Sequence, residues 1–216
     1  MNLIISDFDG TFYDNNYEEN IKFVESIKNN YDFVVATGRH FKSLKRDLKI
    51  SCKYYICNDG GYIVDDKEKI IYKNYLNDNE LKIVYDRIKE LKYEDYYIDY
   101  IEYFDVKINK NASKISIKIR DNNAHEDMNY IINNLNDTYG YLSENWINIL
   151  PKKSCKEEAI DKLLKITNYE NVYVIGNEIN DYGMLKKYNG YLIADKSKDN
   201  FNVLTSFLEI KDELDL

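Results

Sequence analysis

A single proline, Pro151, and only eight glycines in 216 residues leave no material for a Pro/Gly-rich linker, and no internal repeat or low-complexity stretch interrupts the chain. Cysteine is equally scarce. Cys52, Cys57 and Cys155 are odd in number and show neither a paired framework nor zinc-type spacing, so reduced structural thiols are expected. No apolar run approaches the roughly 20 residues that cross a bilayer, and the start of the chain lacks a basic segment ahead of a hydrophobic one. A membrane partner is therefore not expected, and a cytoplasmic location is. Positive charge is short as well: 30 Lys and Arg face 38 Asp and Glu, for a net charge of -8. Without a basic stripe a general nucleic-acid binder is excluded, whereas a small phosphorylated molecule needs only a few local cations.

What the chain does have is an ordinary globular balance, 44% hydrophobic and 31% charged, with 22 tyrosines. Its length suits one core domain with a small inserted module. The periodicity predicts a strand at 2–6, helix at 17–29, strand at 32–36, helix at 41–48 and strand at 54–57. Strands alternating with helices in this way indicate a parallel α/β sheet. A hairpin is expected next, Tyr62-Ile63-Val64 with Ile70-Ile71-Tyr72.

From about 77 the pattern changes to helix, two or three strands, helix and two strands, an α+β layer in which Lys114 to Ile119 alternates as a half-buried antiparallel strand. After Pro151 the α/β pattern resumes with a helix at 156–167, a strand at 171–175, a helix at 181–188, a strand at 190–194 and a final helix at 199–209. The resulting division is a discontinuous core, 1–76 and 150–216, and an inserted domain, 77–149. The aromatic cluster Tyr93, Tyr96, Tyr97, Tyr100, Tyr103 and Phe104 falls in the insertion and is read as strand packing.

Chemistry-bearing residues gather at predicted strand ends. Leu3-Ile4-Ile5-Ser6 runs into Asp7-Phe8-Asp9-Gly10-Thr11, which sets two carboxylates two residues apart before a Gly-permitted turn. Phe33-Val34-Val35-Ala36 runs into Thr37-Gly38-Arg39, and Val172-Tyr173-Val174-Ile175 runs into Gly176-Asn177-Glu178-Ile179-Asn180-Asp181. Lys156 opens a helix. In open parallel sheets ligands bind beyond the carboxyl ends of the strands, where all three loops are expected. His40, beside the second motif, is read as a solvent-facing residue at a helix start. Asn58 and Asp59 suit a turn as well as a pocket mouth.

This set of motifs, in this order, resembles the haloacid dehalogenase (HAD) superfamily, and within it the Cof-type phosphatases with a small cap inserted between the second and third motifs. The resemblance implies a Rossmann-like core and a cap that excludes water and selects the substrate. It further implies an Mg²⁺-dependent phosphatase acting on a small phosphomonoester, such as a sugar phosphate or a phosphoglycolate-like compound.

By the same resemblance Asp7 is the nucleophile that forms an aspartyl phosphate, and Asp9 is the acid/base. Thr37, Gly38, Arg39, Lys156 and Asn180 would hold the phosphate or substrate, with Thr37 and Lys156 also catalytic. The metal would sit on the Asp7 carboxylate, the Asp9 carbonyl and residue 177, with Asp181 close by. A phosphomutase or phosphotransferase reading stays open. So does a catalytically weakened, phosphometabolite-binding member, because the family pattern at the fourth motif is Gly-Asp and this chain has Gly176-Asn177. An amide oxygen can ligate Mg²⁺ but carries no full charge, so weaker metal binding is expected.

Overall fold

The computed structural model describes residues 1–143, 145–194 and 201–214. The chain divides into two compact units, Met1–Tyr72 with Cys155–Leu216, and Lys73–Ser154.

The first unit is built on β1 (Asn2–Ser6), α1 (Tyr17–Ile27), β2 (Tyr31–Ala36), α2 (Phe41–Asp47), β3 (Tyr54–Cys57), β4 (Tyr62–Asp65) and β5 (Ile70–Lys73). The second unit then contributes α3 (Asp78–Glu90), β6 (Tyr96–Tyr100), β7 (Tyr103–Asp105), β8 (Ala112–Lys118), α4 (Ala124–Ile132), β9 (Thr138–Ser143) and β10 (Trp146–Pro151). The first unit resumes with α5 (Lys156–Leu164), β11 (Val172–Gly176), α6 (Tyr182–Lys187), β12 (Tyr191–Ile193) and β13 (Asn202–Leu204).

Strand order in the first sheet is β13-β12-β11-β1-β2-β3-β4-β5. From β13 to β3 every pair is parallel, and β4 turns back antiparallel to β3. Leu3, Ile4 and Ile5 are wholly buried, as a central strand covered on both faces requires, and each such side chain contributes about 1.5–3 kcal/mol relative to exposure. Helix α1 buries Tyr17, Asn20, Phe23, Val24 and Ile27, a spacing of three and four that keeps one face on the sheet. Register decides what this sheet can do. Ser6 pairs with Val35 on one side and Ile175 on the other, so the loops that follow β1, β2 and β11 leave the sheet at one level.

One expected element is different. The predicted helix at 199–209 is replaced by β13 and a 3₁₀ segment, Phe207–Glu213, while residues 199 and 200 lie outside the described residues. Tertiary contacts decide it: Val203 pairs with Leu192, and the Phe207 ring sits 5.1 Å from Phe12 and 6.1 Å from Phe33. A strand pairing and a buried aromatic outweigh local helix preference.

The second unit is a five-stranded sheet, β7-β6-β8-β10-β9, with antiparallel pairing throughout the described strand pairs. Leu81, Val84 and Ile88 of α3 and Met128 and Ile131 of α4 form its core with Ile98, Ile115, Ile117, Ile147 and Ile149. Strand alternation splits the aromatic cluster. Tyr93, Tyr96 and Tyr100 join that core, whereas Tyr97, Tyr103 and Phe104 are exposed.

Candidate active site

The loop after β1 is pinned by its own backbone. Asp7 N–H donates to the Ile175 carbonyl at 2.9 Å, Tyr13 N–H to Phe8 at 2.7 Å, and Phe12 N–H to Asp7 at 3.3 Å. Such a tight reversal needs a left-handed residue, which Gly10 supplies at φ +72°. Gly10 is required for a second reason: a Cβ there would lie 2.5 Å from Nδ2 of Asn177. Gly10→Ala should therefore strain the backbone by about 1–2 kcal/mol and push the Asn177 amide away. At roughly 2–4 °C per kcal/mol, a thermal melt is expected to fall by about 2–8 °C; an unchanged melting temperature would mean that the loop relaxes freely.

Asp7 is 6% exposed, and its Oδ1 accepts from Lys156 Nζ at 2.6 Å. Lys156, the first residue of α5, is wholly buried and also donates to Asp181 Oδ1 at 2.6 Å. Burial alone would lower the ammonium's pKa, but Asp181, Asp7 and Asp59 outweigh it and leave it raised. For Asp7 the balance runs the other way. Burial pushes its carboxyl up to about 8, opposed by Lys156 and reinforced by Asp181 and Asp9. One ammonium serves two buried carboxylates, so the cluster is short of positive charge.

The loop after β11 is shaped around Asp181, whose Oδ2 accepts from the backbone N–H of Asn177 and of Glu178, both at 3.0 Å. Gly176 makes room for that carboxylate, since a Cβ there would meet Asp181 Cβ at 2.6 Å. Asp181, expected near a metal, has its two oxygens engaged by Lys156 and by its own loop. Asn177 differs: its Oδ1 is buried with no hydrogen-bond partner among the described residues.

Arg39, expected to reach the substrate, is paired here with Asp9. Its Nε and Nη2 reach the two Asp9 oxygens at 2.8 and 2.5 Å, its Nη1 pairs with Asp47, and its guanidinium lies 5.0 Å over the Phe8 ring. Asp9 itself stays accessible, with its side chain 51% exposed. Thr37 is 1% exposed, and its hydroxyl accepts from Arg39 N–H at 3.1 Å. Asn180, expected beside phosphate or Lys156, donates from Nδ2 to Asp59 Oδ1 at 3.0 Å. His40 is another difference, being 5% exposed, because it caps α2 through Nδ1, which accepts from Lys42 N–H at 3.2 Å.

Asp59, which suits a turn as well as a pocket mouth, lies in the turn Asn58–Gly60 at 2% exposure and accepts from Asn180, a contact that no sequence signal names. The apolar strand ahead of it, paired with β2, is the signal that places it at this sheet edge.

The donor set fits a hard divalent cation. Asn177 offers an orphaned buried amide oxygen, Asp7 is a carboxylate short of countercharge, and the backbone of Asp9 lies in the same loop as Asp7. Among the described residues no three Asp, Glu, His or Cys side chains form a ready-made metal cage. Mg²⁺ is compatible with that, since it binds through one or two carboxylates and retains several waters.

A profile of the haloacid dehalogenase-like hydrolases matches residues 4–99 and 84–200. An uncharacterized protein of Mycoplasma capricolum subsp. capricolum is 27% identical over 191 residues, covering 82% of this chain and 69% of that protein. A haloacid dehalogenase-like hydrolase from B. subtilis has the same fold, with a TM-score of 0.84 at 15% identity over 99% of this chain and 100% of that one. The sucrose-phosphatase of Synechocystis sp. PCC6803, solved with sucrose and phosphate, gives 0.74 at 17% identity over 98% and 97%. With a family match running through the Asp7, Thr37, Lys156 and Asn177 loops and a sheet edge that gathers them, this chain belongs to the haloacid dehalogenase-like hydrolases.

Proposed function

We propose that this hydrolase is an Mg²⁺-dependent phosphatase that cleaves a small phosphomonoester, of the sugar-phosphate kind, through a phosphorylated Asp7. The observation that carries the reading is the wholly buried Lys156 held at 2.6 Å by both Asp7 and Asp181 at the carboxyl edge of a parallel sheet. A buried ammonium against a carboxylate suits a site that must gather phosphoryl oxygens around a weak nucleophile. The sugar-phosphate assignment draws on the likeness to the sucrose-phosphatase.

In the first half-reaction an Asp7 oxygen attacks phosphorus in line with the ester oxygen. The P–O bond to the alcohol breaks, and Asp9 donates a proton to the leaving alkoxide. In the second half a water attacks the same phosphorus and gives its proton to Asp9. The bond from phosphorus to Asp7 breaks, which regenerates the carboxylate and releases inorganic phosphate. Lys156 neutralises Asp7 and the phosphoryl oxygens, while Thr37 and the backbone N–H groups of its loop hydrogen-bond the phosphate. Arg39 acts here by positioning Asp9, which must leave the guanidinium to donate its proton. Asp7, the Asp9 carbonyl and Asn177 Oδ1 would hold Mg²⁺, with Asp181 keeping their loop in shape. When bound, the ion supplies positive charge against the transferring phosphoryl oxygens.

Hydrolysis of p-nitrophenyl phosphate, with the metal first removed by a chelator and then returned as Mg²⁺, tests the proposal. Activity is expected to vanish and return; hydrolysis indifferent to chelation would defeat it. The same titration tests Asn177. Asn177→Asp adds a full charge to the ligand set and should lower the Mg²⁺ concentration for half-maximal rate by about tenfold, or ~1.4 kcal/mol. An unchanged metal dependence would remove Asn177 from the set.

A further inference from the structure

The turn Asn58–Gly60 lies outside the segments given chemical roles above, yet it touches three of them. Asn58 N–H donates to the Arg39 carbonyl at 3.0 Å, and Asp59 N–H donates to the Thr37 carbonyl at 3.0 Å. Gly60, at φ +92°, packs so tightly on the residue before Lys156 that a Cβ would fall 2.3 Å from the Cys155 carbonyl oxygen. The Asp59 carboxylate lies against Gly38, where a Cβ would meet its two oxygens at 3.1 and 3.2 Å, and it accepts from Asn180 Nδ2 at 3.0 Å. Asp59 is 2% exposed.

A carboxylate placed this deep is costly unless it is paired or hydrogen-bonded, and a turn that needed only a left-handed residue at φ +52° would be served as well by asparagine. The charge is therefore the feature that needs an explanation. An ionised carboxylate can only accept hydrogen bonds, so the Asn180 amide must present Nδ2 to Asp59. Its Oδ1, buried and without a partner among the described residues, is then the group left for other contacts. A fully ionised phosphoryl oxygen offers no proton to that acceptor, so Asn180 held in this way can meet a phosphate only through the second N–H of its amide.

Resting on the phosphatase reading, we propose that Asp59 is a positioning residue that fixes the orientation of the Asn180 amide and backs Lys156 with a third negative charge. Its field at Lys156 acts in the same direction as those of Asp181 and Asp7. Because Asn177 contributes no charge of its own, Asp59 also restores a carboxylate to the site from a different loop.

Asp59→Asn keeps the shape and tolerates the left-handed backbone, so its melting temperature should stay within a few degrees of wild type. With p-nitrophenyl phosphate and saturating Mg²⁺, kcat is expected to fall by about 10–100-fold while KM moves less than about twofold. Asn180→Ala should behave alike, and the double variant should lose little more than the worse single one, because both substitutions act on the same contact: Asp59→Asn takes away its charge and Asn180→Ala its donor. Wild-type kcat in Asp59→Asn, or effects that multiply in the double variant, would overturn the inference. Should Asp59→Asn fail to fold, Asn180→Ala decides alone: lowered kcat at constant KM supports the role, and wild-type kcat overturns it.

A readout that needs no turnover is the side-chain amide of Asn180 in a ¹⁵N–¹H spectrum. Slow exchange in the wild type that is lost in Asp59→Asn supports the contact, whereas identical exchange in both contradicts it. An active wild type with an equally active Asp59→Asn sinks only this inference; a wild type no faster than Asp7→Asn sinks the phosphatase reading.

Discussion

Asp7→Asn is expected to slow phosphomonoester hydrolysis by at least about 10³-fold while leaving the protein folded. The amide has the shape of the carboxylate but no nucleophilic oxygen, so no covalent intermediate forms. The proposed phosphate contacts of Lys156 and the Thr37 loop would remain, so KM should change far less than kcat. The stability effect has the opposite sign. Burial holds the Asp7 carboxyl up to about 8, which means that folding penalises its charged form. Such a group favours the folded state fully below its unfolded value of about 3.9, and that contribution is lost as pH rises through the folded value. A neutral amide removes this dependence, so Asp7→Asn treated with chelator should melt higher than chelator-treated wild type at pH 8 and about equally at pH 4. A variant with near-wild-type kcat would show that Asp7 is not the nucleophile.

Lys156→Met is expected to be the most damaging single change to the fold of the site. Methionine fills a similar volume but leaves Asp7 and Asp181, each now 2.6 Å from the ammonium, buried without their cation. Removing one partner from a buried charge cluster costs about 3–5 kcal/mol, or roughly 6–20 °C at 2–4 °C per kcal/mol for a chain of this size. The pH dependence gives the cause. Lys156 is what lowers the Asp7 pKa, so its loss raises that pKa further, and the deficit in melting temperature should be larger at pH 8 than at pH 5. Catalysis should fall with it, by about 10²-fold or more, since the phosphoryl oxygens lose a fixed positive charge. A pH-independent deficit would attribute the loss to packing.

Much of the fold was legible because its strands are short apolar runs that end abruptly in chemistry. Leu3-Ile4-Ile5, Val34-Val35-Ala36 and Val174-Ile175 are fully buried, and the residues following each run leave the same sheet edge. The less legible parts depend on packing between segments far apart in sequence. Asp59 sits in Asn-Asp-Gly-Gly, a composition that suits a turn or a pocket mouth, and its burial comes with contacts to segments far away in sequence, Gly38 and Asn180. Arg39 has the charge of a phosphate ligand, but the Phe8 ring and the paired Asp9 and Asp47 carboxylates draw its guanidinium to the first loop. His40 looked exposed because a helix start usually is; its ring lies 6.0 Å from Tyr62, whose hydroxyl accepts from Phe41 N–H at 2.7 Å. Local preference likewise gave way at 202–213, where pairing with β12 and the Phe207 anchor set the backbone.

The departure at Asn177 concentrates the remaining chemistry in one place. Its neutral amide lies beside Gly10 and has a buried oxygen with no hydrogen-bond partner among the described residues, so under the proposed function metal binding at Asn177 would depend on the loop that carries Asp7. Gly10, Asn177 and Asp181 are thus coupled, and their substitutions should not combine additively.

Covalent phosphorylation of Asp7 is the claim on which the rest depends, and rapid acid quench during turnover of a ³²P-labelled phosphomonoester with Mg²⁺ tests it most directly. Label should appear within the first turnover on the peptide that contains Asp7, be released by hydroxylamine as an acyl phosphate is, and be absent from Asp7→Asn. Steady hydrolysis with no label on that peptide, or hydroxylamine-sensitive label that persists in Asp7→Asn, would contradict the account.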